Sequence, residues 1–382
     1  MKKILLIAAL YITFSCQKEK PNPFLGSWYF DQIVDNDTIK SKYPNYLIEH
    51  RFSSNYNFEI VNDSIFDFKD GFYYYIANKR WNENDDAKPM RSSYYLGSKT
   101  NYKVHDSNLI YYNKASKDWD TMKIHKIWND TMIVQGHEQA LYQLVRKQNN
   151  FFDDKSYDAI TIDRSPCFGS CPFNATYIDR KGNFFFKPYQ HNTAYLNVQA
   201  QLDPETIAYY FNLFDKIPIS KLEDHYTFSA TDSQNNTVSF FKEGKIVKTI
   251  SCYIENPIDL KKAYSELSFA YQNVKVEDDP YFIFDNYVSL HTFSTGKLDF
   301  RLKESEGFFL EIALRLGKEV QTAFKPLYEL KFSLLGKKSD VKKITTDGRF
   351  YRIEMNDGTS KTLDIGYHFI EKNPLIKKNR IF

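Results

Sequence analysis

The sequence predicts a mainly β protein with an α+β middle domain, in which an antiparallel β domain comes first and a β-rich segment comes last. Short runs of alternating aromatic and polar residues, separated by turn-forming residues, recur in the first and last parts of the chain. Two segments with helical periodicity lie between these parts. The 32 Phe and 29 Tyr residues exclude a largely disordered chain, and 382 residues suffice for two or three domains.

The charge balance argues against a nucleic-acid partner. The chain has 51 Lys and Arg residues against 48 Asp and Glu residues, a formal net charge of +3. Binding to a phosphate backbone needs a concentrated basic face, which a near-neutral composition does not supply. After the first sixteen residues, no stretch approaches the roughly 18 consecutive apolar residues of a membrane-spanning helix.

The first sixteen residues have the pattern of a bacterial export signal. Lys2 and Lys3 precede the apolar residues 4–10, a run too short to span a membrane. The segment ends in Thr-Phe-Ser-Cys at positions 13–16, which resembles the lipobox of bacterial lipoproteins. That family usually has Leu where this chain has Thr13.

The resemblance implies that residues 1–15 are a signal peptide and that Cys16 becomes the lipidated N-terminus. Acyl chains such as palmitate then anchor the protein to the lipid bilayer, since each buried methylene contributes roughly 0.8 kcal/mol. Residues 16–23 form a polar, proline-containing tether. The expected location is the outer membrane, with the periplasmic face and the cell surface both open. An ordinary secretory signal with an incidental cysteine is the alternative.

Residues 24–147 are predicted to form an antiparallel β domain. Strands are predicted at residues 26–34, 55–61, 71–76, 108–113, 118–127 and 140–146. They are separated by turn-forming pairs such as Asn62-Asp63. Many short strands at regular spacing are typical of a barrel or a sandwich.

This segment resembles the lipocalin-like domains of bacterial lipoproteins. The resemblance rests on Gly26-Ser27-Trp28 in the first strand and on residues 141–146 in the last. In that family the opening Trp packs across the barrel base against an Arg of the final strand, which implies structural roles for Trp28 and Arg146. A ligand is expected in the barrel mouth. The expected partner is a small apolar molecule or an envelope protein.

Residues 155–275 are predicted to form an α+β domain. Strands are predicted at residues 157–163, 173–179 and 183–187, with a hairpin at 237–242 and 245–253. Helices are predicted to begin at Asp203-Pro204 and Asn256-Pro257. An acceptor side chain at the cap followed by Pro favours a helix start.

The same segment contains a Cys-x-x-x-Cys-Pro motif between its first two strands. It resembles an uncharacterised domain of Bacteroidetes-type lipoproteins that carries Arg-x-Pro-Cys-Phe/Tyr-Gly-x-Cys-Pro at this place. The matching residues are Arg164, Pro166, Cys167, Phe168, Gly169, Cys171 and Pro172. The resemblance implies an architecture but no activity, because that family has no assigned function.

Three interpretations of Cys167 and Cys171 remain open. A local disulfide across a tight turn suits an exported compartment, and Gly169 would give the short ring backbone freedom. A metal or redox role is the second, since Cys-x-x-x-Cys-Pro also occurs in Sco-type copper chaperones and thiolates select Cu(I). In the third, Cys252 pairs with one of them and leaves the other free.

Residues 281–382 are predicted to return to strands, either as a separate domain or as an extension of the second. The clearest runs lie at 308–316 and 350–355. The Asn-Asp-Gly sequence at 356–358 predicts a hairpin turn into 359–365.

Four Asp-Ser/Thr-aliphatic sequences in the first domain resemble Bacteroidetes-type O-glycosylation sites. Their hydroxyl residues are Thr38, Ser64, Thr121 and Thr131. The other interpretation is structural, because a turn acid followed by a β-branched and an apolar residue begins many strands.

Catalytic and cofactor motifs are absent from the sequence. It contains no Gly-x-Ser-x-Gly, no His-Glu-x-x-His and no phosphate-binding glycine loop, and its eight histidines are scattered. We therefore expect no cofactor, no resident metal and no enzymatic activity, but an envelope module that binds a ligand or a partner. The alternative is a copper-type metal-handling or redox protein that uses Cys167 and Cys171.

Overall fold

A computed structural model describes residues 22–35, 56–78, 90–136, 140–147, 157–227, 231–278, 288–334 and 340–374. These residues form an antiparallel barrel, an eight-stranded sheet and a seven-stranded sheet, together with a two-stranded arm and four helices. The prediction of a mainly β chain with a barrel and an α+β region is confirmed. Cys16, the rest of the predicted export signal and Thr38 lie outside the described residues.

The barrel segment contains ten described strands. They are β1 (Gly26–Asp35), β2 (Phe58–Ile60), β3 (Ile65–Phe68), β4 (Tyr73–Asn78), β5 (Met90–Tyr95), β6 (Lys99–His105), β7 (Asn108–Asn113), β8 (Asp118–Trp128), β9 (Thr131–Gln135) and β10 (Leu141–Lys147). Eight of them close the barrel in the order β1-β10-β9-β8-β7-β6-β3-β2, and β4 pairs with β5. The sequence prediction missed β3, β5, β6 and β9.

The barrel interior is filled with side chains from alternating strand positions. Phe66 stacks on Phe58 and Tyr111 at ring-centroid distances of 4.9 and 4.6 Å. Trp28 and Tyr142 are fully buried in the same cluster. Because successive side chains of a strand point to opposite faces, each strand contributes about every second residue to this core.

The β4–β5 pair forms an arm that contacts the middle segment. At Gly71, just before the arm, φ is +73° and a Cβ atom would lie 2.3 Å from the Tyr95 ring, so the position requires glycine. The rings of Tyr73 and Tyr95 pack against Phe269 at centroid distances of 5.8 and 5.6 Å. The arm therefore joins the barrel segment to the next sheet.

The middle segment is an eight-stranded sheet with two helices. Its elements are β11 (Ala159–Arg164), β12 (Phe173–Asp179), β13 (Asn183–Gln190), β14 (Val198–Gln201), α1 (Pro204–Asp215), β15 (His225–Thr227), β16 (Asn235–Lys242), β17 (Lys245–Tyr253), α2 (Ile258–Ser268) and β18 (Glu277–Asp278). The strand order is β15-β17-β16-β11-β12-β13-β14-β18, antiparallel except for β15 with β17. Single 3-10 turns occur at Ile219–Lys221 and Ala270–Gln272.

The two helices of this segment begin differently. Asp203 caps α1 as predicted, by accepting a hydrogen bond from the Thr206 N–H at 2.9 Å. The N-cap of α2 is Pro257, and no side chain caps it, so the predicted capping role of Asn256 is wrong. The fixed φ of proline already suits a helix start, and Asn256 Oδ1 accepts from the Tyr264 hydroxyl at 2.8 Å instead.

The last segment is a seven-stranded sheet with two helices. Its elements are β19 (Val288–Ser294), β20 (Asp299–Arg301), α3 (Glu304–Arg315), β21 (Lys318–Glu319), β22 (Tyr328–Leu334), β23 (Val341–Thr346), β24 (Phe350–Met355), β25 (Ser360–Asp364) and α4 (Phe369–Lys372). The strand order is β20-β19-β22-β23-β24-β25-β21. None of the helices in the described ranges is long and apolar enough to cross a lipid bilayer.

The strand predicted at 308–316 is wrong, because most of these residues belong to α3. Nearly the whole helix is buried, so it lacks the polar face that marks a helix in a sequence. A helix-start signal was present in Glu306, whose carboxylate accepts from the Lys303 N–H at 2.9 Å. Gly307 allows close packing, since a Cβ there would lie 2.0 Å from the Leu290 carbonyl oxygen.

Helix α3 packs between the middle sheet and the last sheet. On this face Phe241 stacks on Phe309 at 3.6 Å, and the Thr161 hydroxyl donates to the Ser305 carbonyl at 2.9 Å. The other face of the middle sheet packs against α1 and α2. Because both faces are covered, every residue of β11 and β12 is buried.

Ion pairs join the barrel segment to α2. Three of them connect Lys69 with Asp259 at 2.7 Å, Asp67 with Lys262 at 3.1 Å, and Asp70 with Lys261. Ser98 also donates to Glu266 at 3.0 Å. Helix α2 therefore contacts the barrel segment on one side and the middle sheet on the other.

Candidate functional site

A cavity of about 740 Å³ lies beside the cysteine motif, and we call it the motif cavity. Its walls include the loop between Cys167 and Pro172, the arm with Tyr73 and Tyr75, and α2 with Lys261. Arg164 and described residues of 233–236 and 254–256 complete the lining. Small-molecule sites in proteins commonly enclose roughly 300–1,000 Å³, so the motif cavity has the size of a ligand site.

A disulfide bond joins Cys167 to Cys171 at the wall of the motif cavity. This confirms the first of the three interpretations of the motif, a local disulfide between Cys167 and Cys171. Gly169 does not have a positive φ, so the backbone freedom expected from it is not needed. Because the disulfide closes the ring through the side chains of Cys167 and Cys171, the loop can turn with its backbone in ordinary conformations. Phe168, within the loop, is 86% exposed.

Gln234 holds the two ends of this loop together. Its side-chain nitrogen donates to the Ser165 carbonyl at 2.7 Å and to the Pro172 carbonyl at 2.8 Å. Its Oε1 atom accepts from Nε and Nη2 of Arg164 at 3.2 and 3.0 Å. One neutral side chain therefore positions both the loop and one edge of the Arg164 guanidinium.

Arg164 carries a buried positive charge in the cavity wall. It is the last residue of β11 and is 8% exposed. Its Nη1 atom is buried and has no hydrogen-bond partner in the described part of the chain. The Phe269 ring centroid lies 5.3 Å from the guanidinium carbon. Arg164 thus meets a neutral amide and an aromatic face, and its Nη1 donors remain available.

The rest of the wall is polar and mostly uncharged. The Tyr264 hydroxyl donates to Asn256, and Asn236 Nδ2 lies 3.4 Å from the same hydroxyl. Burial raises the pKa of Tyr264 well above its usual value, and the positive charge of Arg164 opposes that shift only in part. The phenol is therefore neutral at physiological pH. Lys261 adds a second cation, and no carboxylate occurs among the described residues that line the cavity.

Cys252 takes no part in this site. It is fully buried in β17 with a free thiol, and burial raises the pKa of that thiol to about 12. The interpretation that Cys252 pairs with a motif cysteine is wrong, because it packs in the core between the middle sheet and its helices. Within the described ranges, no three His, Cys, Asp or Glu residues are grouped to hold a metal ion.

Trp28 and Arg146 lie together at one end of the barrel. They are direct partners across β1 and β10, and the guanidinium carbon lies 4.6 Å from the indole ring centroid. Trp28 Nε1 donates to the Phe24 carbonyl at 2.7 Å, and Arg146 Nη2 donates to the Pro23 carbonyl at 2.7 Å. Both side chains thus hold the chain where it enters the barrel.

The opposite end of the barrel contains a cavity of about 390 Å³, which we call the mouth cavity. Its lining includes Tyr56, Tyr111, Asp120, Met122 and Gln135. Burial raises the pKa of Tyr111, and the nearby Asp120 carboxylate adds to the shift. The mouth cavity is smaller than the motif cavity because aromatic side chains fill the barrel below it.

The candidate glycosylation residues differ in exposure. Ser64 and Thr121 are exposed, Thr131 is half-buried, and Thr38 lies outside the described residues. The Ser64 N–H and hydroxyl both donate to Asn62 Oδ1, at 3.0 and 3.1 Å. Both exposed hydroxyl residues are open to a modifying enzyme, but Ser64 would first have to release this hydrogen bond.

The side chains around Arg164 could not be identified from sequence spacing. Gln234 lies 70 positions after Arg164 and approaches it because β16 pairs with β11. Lys261 and Tyr73 come from α2 and from the arm of the barrel segment. The polar run that contains Gln234 was the one visible signal, and nothing in it indicates which strand its residues would face.

Residues 158–271 match a family described as a domain of unknown function, DUF6438. The matched segment contains Arg164, both motif cysteines, α1 and α2, and it covers less than half of the chain. The middle segment therefore contains a domain of unknown function, as expected. No curated protein matches the chain.

Proposed function

We propose that this chain is a lipid-anchored envelope protein that binds a small ligand in the motif cavity without catalysing a reaction on it. The observation that carries the proposal is the cavity itself, about 740 Å³ in volume and walled by the motif loop, the arm and α2. Its walls are fixed by the disulfide and by the ion pairs of α2. A fixed, polar, ligand-sized cavity is suited to binding.

A binding screen with a matched pair of variants tests this proposal. Thermal stability of the purified full-length protein would be measured with dipeptides, sugar phosphates, fatty acids and monosaccharides. We expect at least one class to raise the melting temperature, because a ligand that binds the folded state stabilises it. Ser170→Trp, which fills the cavity from the loop, should abolish the shift, whereas Ser116→Trp on an exposed turn of the barrel segment should keep it. Equal shifts in both variants would contradict binding in this cavity.

The resemblance of residues 13–16 to a lipobox supports anchoring through Cys16. A tether of residues 16–23 reaches at most about 30 Å when fully extended, so the barrel segment would lie close to an outer-membrane surface. Intact mass of the native protein should show an acylated chain that begins at Cys16. Cys16→Ser should remove the acyl mass and release the protein from membranes. An unmodified Cys16 in the membrane fraction would refute the anchor.

The alternative function is thiol, metal or redox chemistry at Cys167 and Cys171. Their sulfurs are bonded to each other in the structure, so this chemistry would first require reduction. Mass spectrometry of the native protein should find a closed bond and no stoichiometric copper or zinc. Free thiols or bound metal would replace the ligand-binding proposal by this alternative.

A second candidate site is the mouth cavity, where the lipocalin-like resemblance places a small apolar ligand. Tyr56, Tyr111 and Met122 supply the apolar part of a lining that also contains Asp120 and Gln135. An apolar fluorescent probe should bind in the mouth cavity, and Met122→Lys should prevent its binding. The same substitution should not affect ligands of the motif cavity, whose binding Ser170→Trp abolishes. No binding of apolar probes would exclude this second site.

A further inference from the structure

The buried cations of this chain differ in their partners. Among the described residues, three cationic side chains are buried: Lys69, Lys187 and Arg164. Lys69 pairs with Asp259 at 2.7 Å, and Lys187 pairs with Glu311 at 2.6 Å. Within the described residues Arg164 has no carboxylate partner, and the neutral amide of Gln234 accepts from its side chain.

A buried charge without a counter-charge is costly, because desolvation is not offset by attraction to an opposite charge. Lys69 and Lys187 follow that rule within the protein. Arg164 finds no such counter-charge among the described residues, so an anion that enters the motif cavity, which Arg164 lines, would supply it.

The geometry around Arg164 is prepared for this role. Gln234 fixes the Nε and Nη2 edge of the guanidinium, and backbone carbonyls of the motif loop fix Gln234 in turn. The Phe269 ring covers one face of the guanidinium. The side chain is therefore held from two sides where it lines the motif cavity.

The charged side chains that line the motif cavity are positive, as the binding of an anion requires. Its described lining contains Arg164 and Lys261 but no Asp or Glu, and the carboxylate of Asp70 that pairs with Lys261 is not part of that lining. A cationic ligand would be repelled. Neutral hydroxyls such as that of Tyr264 can donate or accept beside an anion.

We infer that the ligand of the motif cavity carries an anionic group, a carboxylate or a phosphate, that binds the Arg164 guanidinium. This inference rests on the proposed ligand-binding function and adds its chemical class. An anionic group alone would fill only a small part of about 740 Å³, so the ligand has a larger body beside Tyr73 and Tyr75. Guanidinium groups bind carboxylates and phosphates equally well in geometry, so both are candidates.

Probes that share one body and differ in charge test the inference. Binding of N-acetylphenylalanine, its neutral amide, and the analogue in which a phosphonate replaces the carboxylate, as a stand-in for a phosphate, would be measured on the purified full-length protein by titration calorimetry. We expect one or both anionic probes to bind at least about 10-fold more tightly than the neutral amide, as a charge-assisted hydrogen bond allows. Which anionic probe binds more tightly decides between carboxylate and phosphate.

Variants separate the role of Arg164 from a general effect on folding. Arg164→Met should remove the preference for anionic probes, whereas Arg352→Met, which removes an arginine that lies on the Phe324 ring, should keep it. Without ligand, Arg164→Met should cost little stability, because the two lost hydrogen bonds to Gln234 are offset by removal of a buried charge that has no carboxylate partner among the described residues. A large loss of stability in this variant would contradict the inference.

Different binding results would refute the anionic ligand and the proposed ligand-binding function. Neutral probes that bind the native chain and Arg164→Met equally, but not Ser170→Trp, would refute the anionic ligand and keep the binding site. Absence of binding for these probes and for every class of the wider screen would refute both.

Discussion

Replacing Lys187 by methionine should destabilise the protein by about 3–5 kcal/mol. Lys187 and Glu311 are 0% and 2% exposed, and Lys187 Nζ lies 2.6 Å from Glu311 Oε1. Removal of one partner from a buried ion pair leaves the other charge uncompensated, which costs about 3–5 kcal/mol. The hydrogen bond from Nζ to the Val288 carbonyl at 2.8 Å, worth about 1 kcal/mol, is lost as well.

Protonation of Glu311 limits this loss. In the variant the buried carboxyl group can take up a proton, at about 1.4 kcal/mol for each unit between its pKa and the pH. The loss should therefore be smaller at pH 5 than at pH 8. Asp163 lies in the same region, where burial raises its pKa and the charge of Lys187 opposes the shift.

Urea denaturation at pH 8 and pH 5 would measure the free energy of unfolding. The matched control is Lys242→Met, which removes an exposed lysine from β16 of the same sheet and should change stability by less than about 0.5 kcal/mol. The double variant Lys187→Met/Glu311→Leu should recover most of the loss, because neither member of the buried pair is then left without its partner. A single variant as stable as the control would refute this account of the core.

Three further results are expected. Replacement of Cys167 and Cys171 by serine should lower the free energy of unfolding in urea by about 2 kcal/mol, the loop-entropy value for a five-residue ring. Asp163→Asn should raise the melting temperature at pH 7, because burial raises the pKa of this carboxyl and its ionised form opposes folding above the unfolded pKa. That gain should vanish near pH 3, where the carboxyl is protonated in both states. Gly307→Ala should lower the melting temperature in differential scanning calorimetry, because its Cβ would lie 2.0 Å from the Leu290 oxygen.

Local chemistry predicted much of the fold. The strand predicted at 173–179 matches β12, and the cap at Asp203 matches α1, because turn residues and capping side chains act on their immediate neighbours. Helix α3 was missed for the opposite reason. Its burial on all sides is imposed by two sheets that are distant in the sequence, so its pattern carries no polar face.

The candidate site was predictable only in part. A local motif identified Arg164 and the disulfide, since all of its residues lie within nine positions. Gln234 and Lys261 reach the same cavity through strand pairing and helix packing, which sequence spacing does not encode. That Arg164 Nη1 is buried without a hydrogen-bond partner in the described part of the chain could be recognised only from the three-dimensional structure.

The two-sided burial of the middle sheet has a consequence for the folding of the chain as it is synthesised. The sheet is complete in sequence at residue 278, whereas α3, which covers Phe241, Tyr177 and their neighbours, follows only at Glu304. A chain synthesised from its N-terminus therefore presents an apolar sheet face before α3 is made, and during that interval it is prone to aggregation. Residues 288–374 would then act as a late intramolecular chaperone for the segment that precedes them.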